Sequence, residues 1–144
     1  MAFWGLRAYS LARRPRLRGV KCVVRDADGR VLWVRHTYGD RAAWELPGGG
    51  ARRSESALQA ARREAREELG VDLDDWRDLG TVQGRWTGAH LALTCCLADW
   101  PHDARLDPDP VEIAVAEWAP AAEPPGRVGE VTAGALPVVS RALG

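Results

Sequence analysis

From Gly19 onward, short apolar runs bounded by glycine, proline and aspartate alternate with segments of helical spacing. VKCVVRD stops at the turn Asp26-Ala27-Asp28-Gly29 and RVLWVR follows, a pattern that predicts a β-hairpin. The loop HTYGDRAA leads to Trp44-Glu45-Leu46-Pro47 and then three consecutive glycines. A helix is expected next, capped by Ser54 with Glu55 in its first turn. Gly70 should end it, because a left-handed residue after a helix is cheap only for glycine. Strands are predicted near Asp78–Arg85 and Ala89–Ala98, joined by a turn around Trp86-Thr87-Gly88. After LDPDP a further strand, Glu112–Trp118, is expected, and Glu130–Leu143 has the pattern of a terminal helix kinked at Pro137. Strands with intervening helices and no internal repeat imply a mixed α/β sandwich.

The predicted central helix carries an unusual charge pattern. At 100° per residue from Ala57, Glu67, Glu64 and Glu68 fall at about 280°, 340° and 20°. Its apolar residues Ala57, Leu58, Ala61, Ala65 and Leu69 cover roughly 0–120°. The three carboxylates therefore line the seam between buried face and solvent, where they repel one another. Oxygen ligands grouped in this way suit Mg²⁺ or Mn²⁺, which take carboxylates, water and phosphate together. The plainer alternative is a solvated face with alternating charges, in which Arg63 pairs with Glu67 four residues on.

The wider spacing favours the metal. Gly49, five residues, Glu55, seven residues, Arg63-Glu64, Ala65, Arg66, Glu67-Glu68, Leu69, Gly70 and Val71 reproduce G-x5-E-x7-R-E-U-x-E-E-x-G-U, U being aliphatic. Chance agreement is on the order of 10⁻⁸ per starting point. The chain resembles the Nudix hydrolases, whose motif this is, and the resemblance extends loosely through GVKCVVRDADGRVLWVRHTYGDRAAWELPGGG and EIAVAEWAP. It implies an α/β/α sandwich with a mixed sheet, and hydrolysis of a nucleoside diphosphate linked to another group, such as a nucleoside triphosphate, nucleotide sugar or ADP-ribose. It also implies Mg²⁺, with Mn²⁺ as the alternative, held by Glu64, Glu67, Glu68 and the Gly49 carbonyl. Arg63 would orient Glu64, while Glu55 and Gly70 would brace the motif. The general base is either a motif glutamate or Glu112, with Asp109 behind it; Glu112 reads equally well as a polar strand end. Many relatives carry an acid where Arg52 stands and a glycine where Ser54 stands. Some Nudix-like domains are non-catalytic nucleotide sensors, which is the competing reading of function.

For substrate, Arg35, Tyr38 and Arg41 flank the loop before the motif, and Trp86 or Trp44 could stack on a base. Trp33 and Trp118 are expected in the core. His36, His90 and His102 are too scattered for a metal set, and Arg53, Arg62 and Arg66 read as solvated surface.

Charge and composition narrow the partners. The 144 residues sum to zero net charge, so no bulk attraction to nucleic acid or anionic membrane is expected, a capped or 5′-phosphorylated RNA end excepted. The basic residues Arg7, Arg13, Arg14, Arg16, Arg18, Lys21 and Arg25 precede the first acid, Asp26. Residues 1–18 therefore read as a basic arm or helix packed on one domain over residues 19–144, the alternative being a transit peptide or membrane-surface helix with Phe3, Trp4, Leu6 and Leu11 on one rough face. No continuous apolar stretch suits a signal peptide or a membrane span. Cys22, Cys95 and Cys96 form neither a disulfide framework nor a zinc pattern, which fits a reduced, cytoplasmic setting. Self-association as a homodimer is left open.

Overall fold

A computed structural model describes residues 16–86 and 88–144. The strands among these residues are β1 (Arg16–Arg25), β2 (Val31–His36), β3 (Gly48–Gly50), β4 (Arg77–Trp86), β5 (Ala89–Asp99) and β6 (Ile113–Ala119). Among the described residues two helices accompany them, α1 (Ala57–Leu69) and α2 (Glu130–Leu143). The sheet runs β4-β5-β1-β2-β6, and β3 also pairs with β1. Only β1 and β5 are parallel; the other pairings are antiparallel, so the sheet is mixed.

The central strand β1 is buried on both faces, which is why VKCVV carries almost no polar alternation. Val20, Cys22 and Val24 face α1, packing with Ala60, Ala61, Ala65 and Leu69. Leu17 and Val23 face α2, among Trp33, Leu93, Ala135 and Val139. The three buried alanines of α1 let that helix lie close on the sheet, while α2 closes the opposite side. Trp33 is fully buried, and Trp118 packs at the α1 side edge-on to Trp100 at 5.6 Å. Among the described residues no helix is long and apolar enough to cross a membrane.

Two local expectations are corrected. Ser56, not Ser54, caps α1: its hydroxyl accepts the Gln59 N–H at 3.1 Å, and the Gln59 side chain accepts the Ser56 N–H at 2.9 Å. This reciprocal pair satisfies two otherwise free donors. Glu55 therefore lies before the helix and not in its first turn. The glycine run, for which no strand was expected, is one: Gly48, Gly49 and Gly50 pair with Lys21, Val20 and Gly19. A Cβ on Gly48 would stand 2.1 Å from the Val20 carbonyl oxygen, so only glycine permits the approach. Helix α2 continues through Pro137. The expected basic arm lies outside the described residues as far as residue 15, and β1 already includes residues 16–18.

Candidate active site

The buried alanine face of α1 brings its acidic seam against β3. Glu64 and Glu68 are only 6% and 2% exposed, whereas the Glu67 side chain is 43% exposed. Glu64 packs on Gly49, where a Cβ would lie 2.6 Å from its Oε1. Glu68 is held at both oxygens: Oε1 accepts the Gly48 N–H at 2.8 Å, and Oε2 lies 3.2 Å from His36 Nε2. Burial, then the charge of Glu68, pushes the Glu64 pKa up to about 7.

Arg63 is buried at the centre of this group. It donates to Glu55 from Nε at 2.6 Å and from Nη2 at 2.8 Å, and to the Gly50 carbonyl at 2.9 Å. Its Nη1 reaches Glu64 Oε1 at 3.0 Å and Glu67 Oε2 at 3.4 Å. A planar fork of donors can make such contacts at once, and lysine could not. The Arg63 hydrogen bonds hold the Glu55 carboxyl at about 2, and Glu55 also accepts the Arg52 N–H at 2.8 Å. Glu55 thus ties the loop after β3 to α1. Gly70 ends α1 in the left-handed region at φ 71°, against the Asp107 carbonyl.

The carboxylates offer hard oxygen donors of the kind Mg²⁺ and Mn²⁺ prefer, and burial first and the Glu68 charge second disfavour the ionised form of Glu64. Among the described residues, however, no three acidic, histidine or cysteine side chains converge tightly enough to hold an ion as they stand. Each carboxylate already faces a protein donor: Arg63 and Arg52 at Glu67, Arg63 at Glu64, Gly48 and His36 at Glu68. The donor chemistry fits a divalent cation, and binding one requires these side chains to turn away from their present partners.

A cleft of about 180 Å³ opens beside β3, lined by Lys21, Tyr38, Glu45, Gly48, Gly49 and Trp86 among others. Tyr38 and Trp86, singled out from sequence, lie on its wall. Arg35 does not line it: its guanidinium stacks 5.2 Å from the Trp44 ring centroid, with Nε buried and unpartnered. Arg41 is exposed on the adjoining loop, also off the lining. Glu112 is half-buried just before β6, and its backbone carbonyl accepts the Thr37 N–H at 2.9 Å. Burial and the charge of Glu68 raise its pKa, while burial, Glu68 and Glu112 in that order raise that of Tyr38. Tyr38, Glu68 and Glu112 therefore share one electrostatic corner.

The roles of four side chains, Glu45, Lys21, Thr132 and His36, escaped the sequence reading. Glu45 accepts the Thr132 hydroxyl and lies 3.7 Å from Lys21 Nζ, which also donates to the Leu46 carbonyl at 3.2 Å. The Glu45 carboxylate presses on Gly129, the α2 N-cap, which has no side chain of its own to cap the helix. An anion from a distant segment so occupies the positive end of α2. The signal was Lys21, a lone cation inside an apolar strand run, which demands a buried partner. His36 was set aside as isolated, because its pairing with Glu68 spans 32 residues of sequence.

A family model described as the NUDIX domain matches residues 15–139. The chain belongs to the Nudix family. The RNA pyrophosphohydrolase of Teredinibacter turnerae is 45% identical over 65 residues, covering 45% of this chain and 37% of that protein. That of Halorhodospira halophila is 43% identical over 67 residues, covering 46% and 35%. The matched segments thus take in little more than a third of these Nudix relatives' own length. The MutT Nudix hydrolase of Burkholderia pseudomallei superposes with a TM-score of 0.74 at 25% identity, covering 86% of this chain and 98% of that one. The MutT protein of Methanosarcina mazei Go1 shares the fold, with a TM-score of 0.72 at 20% identity over 89% and 93% of the two chains.

Proposed function

We propose that this Nudix domain hydrolyses a diphosphate bond in a nucleoside diphosphate linked to another group, with Mg²⁺ or Mn²⁺ as cofactor. The observation that supports it most is the crowding of Glu64 and Glu68, two buried carboxylates kept together against their own repulsion beside an open cleft. In this reading Glu64, Glu67, Glu68 and the Gly49 carbonyl hold the metal. When bound, it would neutralise phosphate charge and acidify a water. Arg63 keeps Glu64 and Glu67 oriented, and Glu55 and Gly70 keep the motif's two ends in place. Trp86 and Tyr38 receive the nucleoside, with Arg41 on the adjoining loop as a further phosphate contact, while Arg35 stays stacked on Trp44.

Chemistry at phosphorus needs an oxygen nucleophile and a proton acceptor. The water oxygen bonds to phosphorus, the bridging P–O bond breaks, and its electron pair leaves with the departing phosphate. Glu112 is our candidate to take the water proton, because its raised pKa makes it a better base than an exposed carboxylate. The alternative acceptor is a motif glutamate.

The name RNA pyrophosphohydrolase carried by its relatives supports testing a 5′-phosphorylated RNA end alongside nucleoside triphosphates, nucleotide sugars and ADP-ribose. The test is a panel of these compounds, with dinucleotides and capped RNA, in Mg²⁺ and in Mn²⁺. Metal-dependent release of phosphate, diphosphate or a nucleoside monophosphate is expected from at least one. Failure across the panel with both metals removes the catalytic reading and leaves a nucleotide-binding role.

A further inference from the structure

The proposed chemistry makes no use of the Arg52 guanidinium, yet the Arg52 backbone is pinned from two sides. Its N–H donates to Glu55 Oε1 at 2.8 Å, and its carbonyl accepts Arg18 Nη1 at 3.4 Å. Arg18 Nη2 also donates to the Glu55 carbonyl at 3.0 Å, so one arginine of β1 clamps the loop that carries Arg52. With the backbone held, the side chain has a defined reach. Its Nη2 stands 4.0 Å from Glu67 Oε1, and both side chains are well exposed, at 53% and 43%.

An exposed pair at that distance adds little to stability, so it does not explain a cation here. Position does. The cleft meets the carboxylates through Gly48 and Gly49, which contact Glu68 and Glu64. Glu67 lies one step outward on the same helix, joined to Glu64 through Arg63, and Arg52 lies beyond Glu67. From the cleft wall, contacts run in turn from Gly48 and Gly49 to Glu68 and Glu64, through Arg63 to Glu67, and on to Arg52. A nucleoside in the cleft would lead its phosphate chain across the carboxylates and end it at a guanidinium.

Resting on the function proposed above, we infer that Arg52 binds the terminal phosphate of the substrate, so that the site prefers compounds ending in a free phosphate over those whose diphosphate is capped by a sugar. Arginine suits the role because its fork matches two phosphate oxygens and its charge is permanent. Arg63, whose donors are spent inside the protein, is unable to serve.

The test uses calorimetric titration of Mn²⁺ alone, and then of imidodiphosphate at saturating Mn²⁺, into the full chain and its Arg52→Gln and Arg52→Lys variants. Loss of the guanidinium should weaken imidodiphosphate binding about tenfold in Arg52→Gln, with Arg52→Lys in between. Melting temperatures should match, which separates this role from a structural one. In turnover, Arg52→Gln should raise KM for phosphate-terminated substrates and leave KM for ADP-ribose unchanged. If wild type and Arg52→Gln bind imidodiphosphate within about twofold of each other, the inference is overturned. Absence of Mn²⁺ binding by the wild type would instead remove the metal assignment on which it rests.

Discussion

Glu68 of α1 accepts the backbone N–H of Gly48 at 2.8 Å, so the acidic helix and the first residue of β3 are joined through one carboxylate oxygen. The same Gly48 lies so close to β1 that a Cβ would meet the Val20 carbonyl oxygen at 2.1 Å. Helix, glycine strand and central strand are one mechanical unit, and the cleft is cut into its edge.

Gly48→Ala should therefore damage the fold as well as the site. The added methyl group must push β3 away from β1 and stretch the contact to Glu68, at an expected cost of about 3 kcal/mol. Urea denaturation measures it. A loss below about 0.5 kcal/mol would mean that β3 moves freely and does not anchor the carboxylates.

Glu67→Gln and Glu68→Gln keep side-chain size and remove charge. Each should lower metal-dependent turnover by at least about 10²-fold while the circular dichroism spectrum stays native. Glu68→Gln should be the less stable of the two, because Glu68 is buried between Gly48 and His36 while Glu67 is largely solvated. Near-normal turnover in both variants would remove the carboxylates from the chemistry.

The Arg63–Glu55 pair predicts a response to acid. The Glu55 pKa, held at about 2, lies below the ordinary 4.5. Its stabilising contribution is thus fully present above pH 4.5 and is lost as the pH falls through about 2. Following melting temperature from pH 5 to pH 2, the wild type should lose more stability than Glu55→Gln. Parallel curves would show that the pair does not act on folding. Arg63→Ala should be costlier at neutral pH, by about 3–5 kcal/mol, since it leaves Glu55 and Glu64 without their partner in a desolvated place.

Millimolar Mg²⁺ or Mn²⁺ should stabilise the native chain. At a metal concentration 100 times the dissociation constant the gain is about 2.7 kcal/mol. For a chain of this size that corresponds to a rise of about 5–10 °C in melting temperature. The rise should disappear in Glu67→Gln combined with Glu68→Gln. A wild-type melting point indifferent to both metals counts against the clustered carboxylates as a cation site.

Much of this architecture was legible from local pattern. The VKCVVRD and RVLWVR runs, the turn between them and the left-handed Gly70 depend on neighbours within a few residues, and they appear as expected. The cap was misplaced by two residues. Ser54 and Ser56 are both plausible acceptors, but only Ser56 has a glutamine three residues on to return the bond. The glycine strand was missed because its cause is an opposing backbone, Val20, that lies 28 residues away in sequence. Glu45, Lys21 and Thr132 were missed for a similar reason, since they come from three segments.

The sequence by itself determined the family, the mixed α/β sandwich and the identity of the crowded carboxylates, because the motif's spacing lies within one helix and its flanks. Tertiary structure alone decided which groups meet them. It set His36 and Gly48 on Glu68, directed Arg52 toward Glu67, placed Tyr38 and Trp86 on the cleft and turned Arg35 away onto Trp44. Helical periodicity specifies neighbours along one element. The distances between elements come from how closely alanine and glycine let backbones approach, and only the assembled core expresses that.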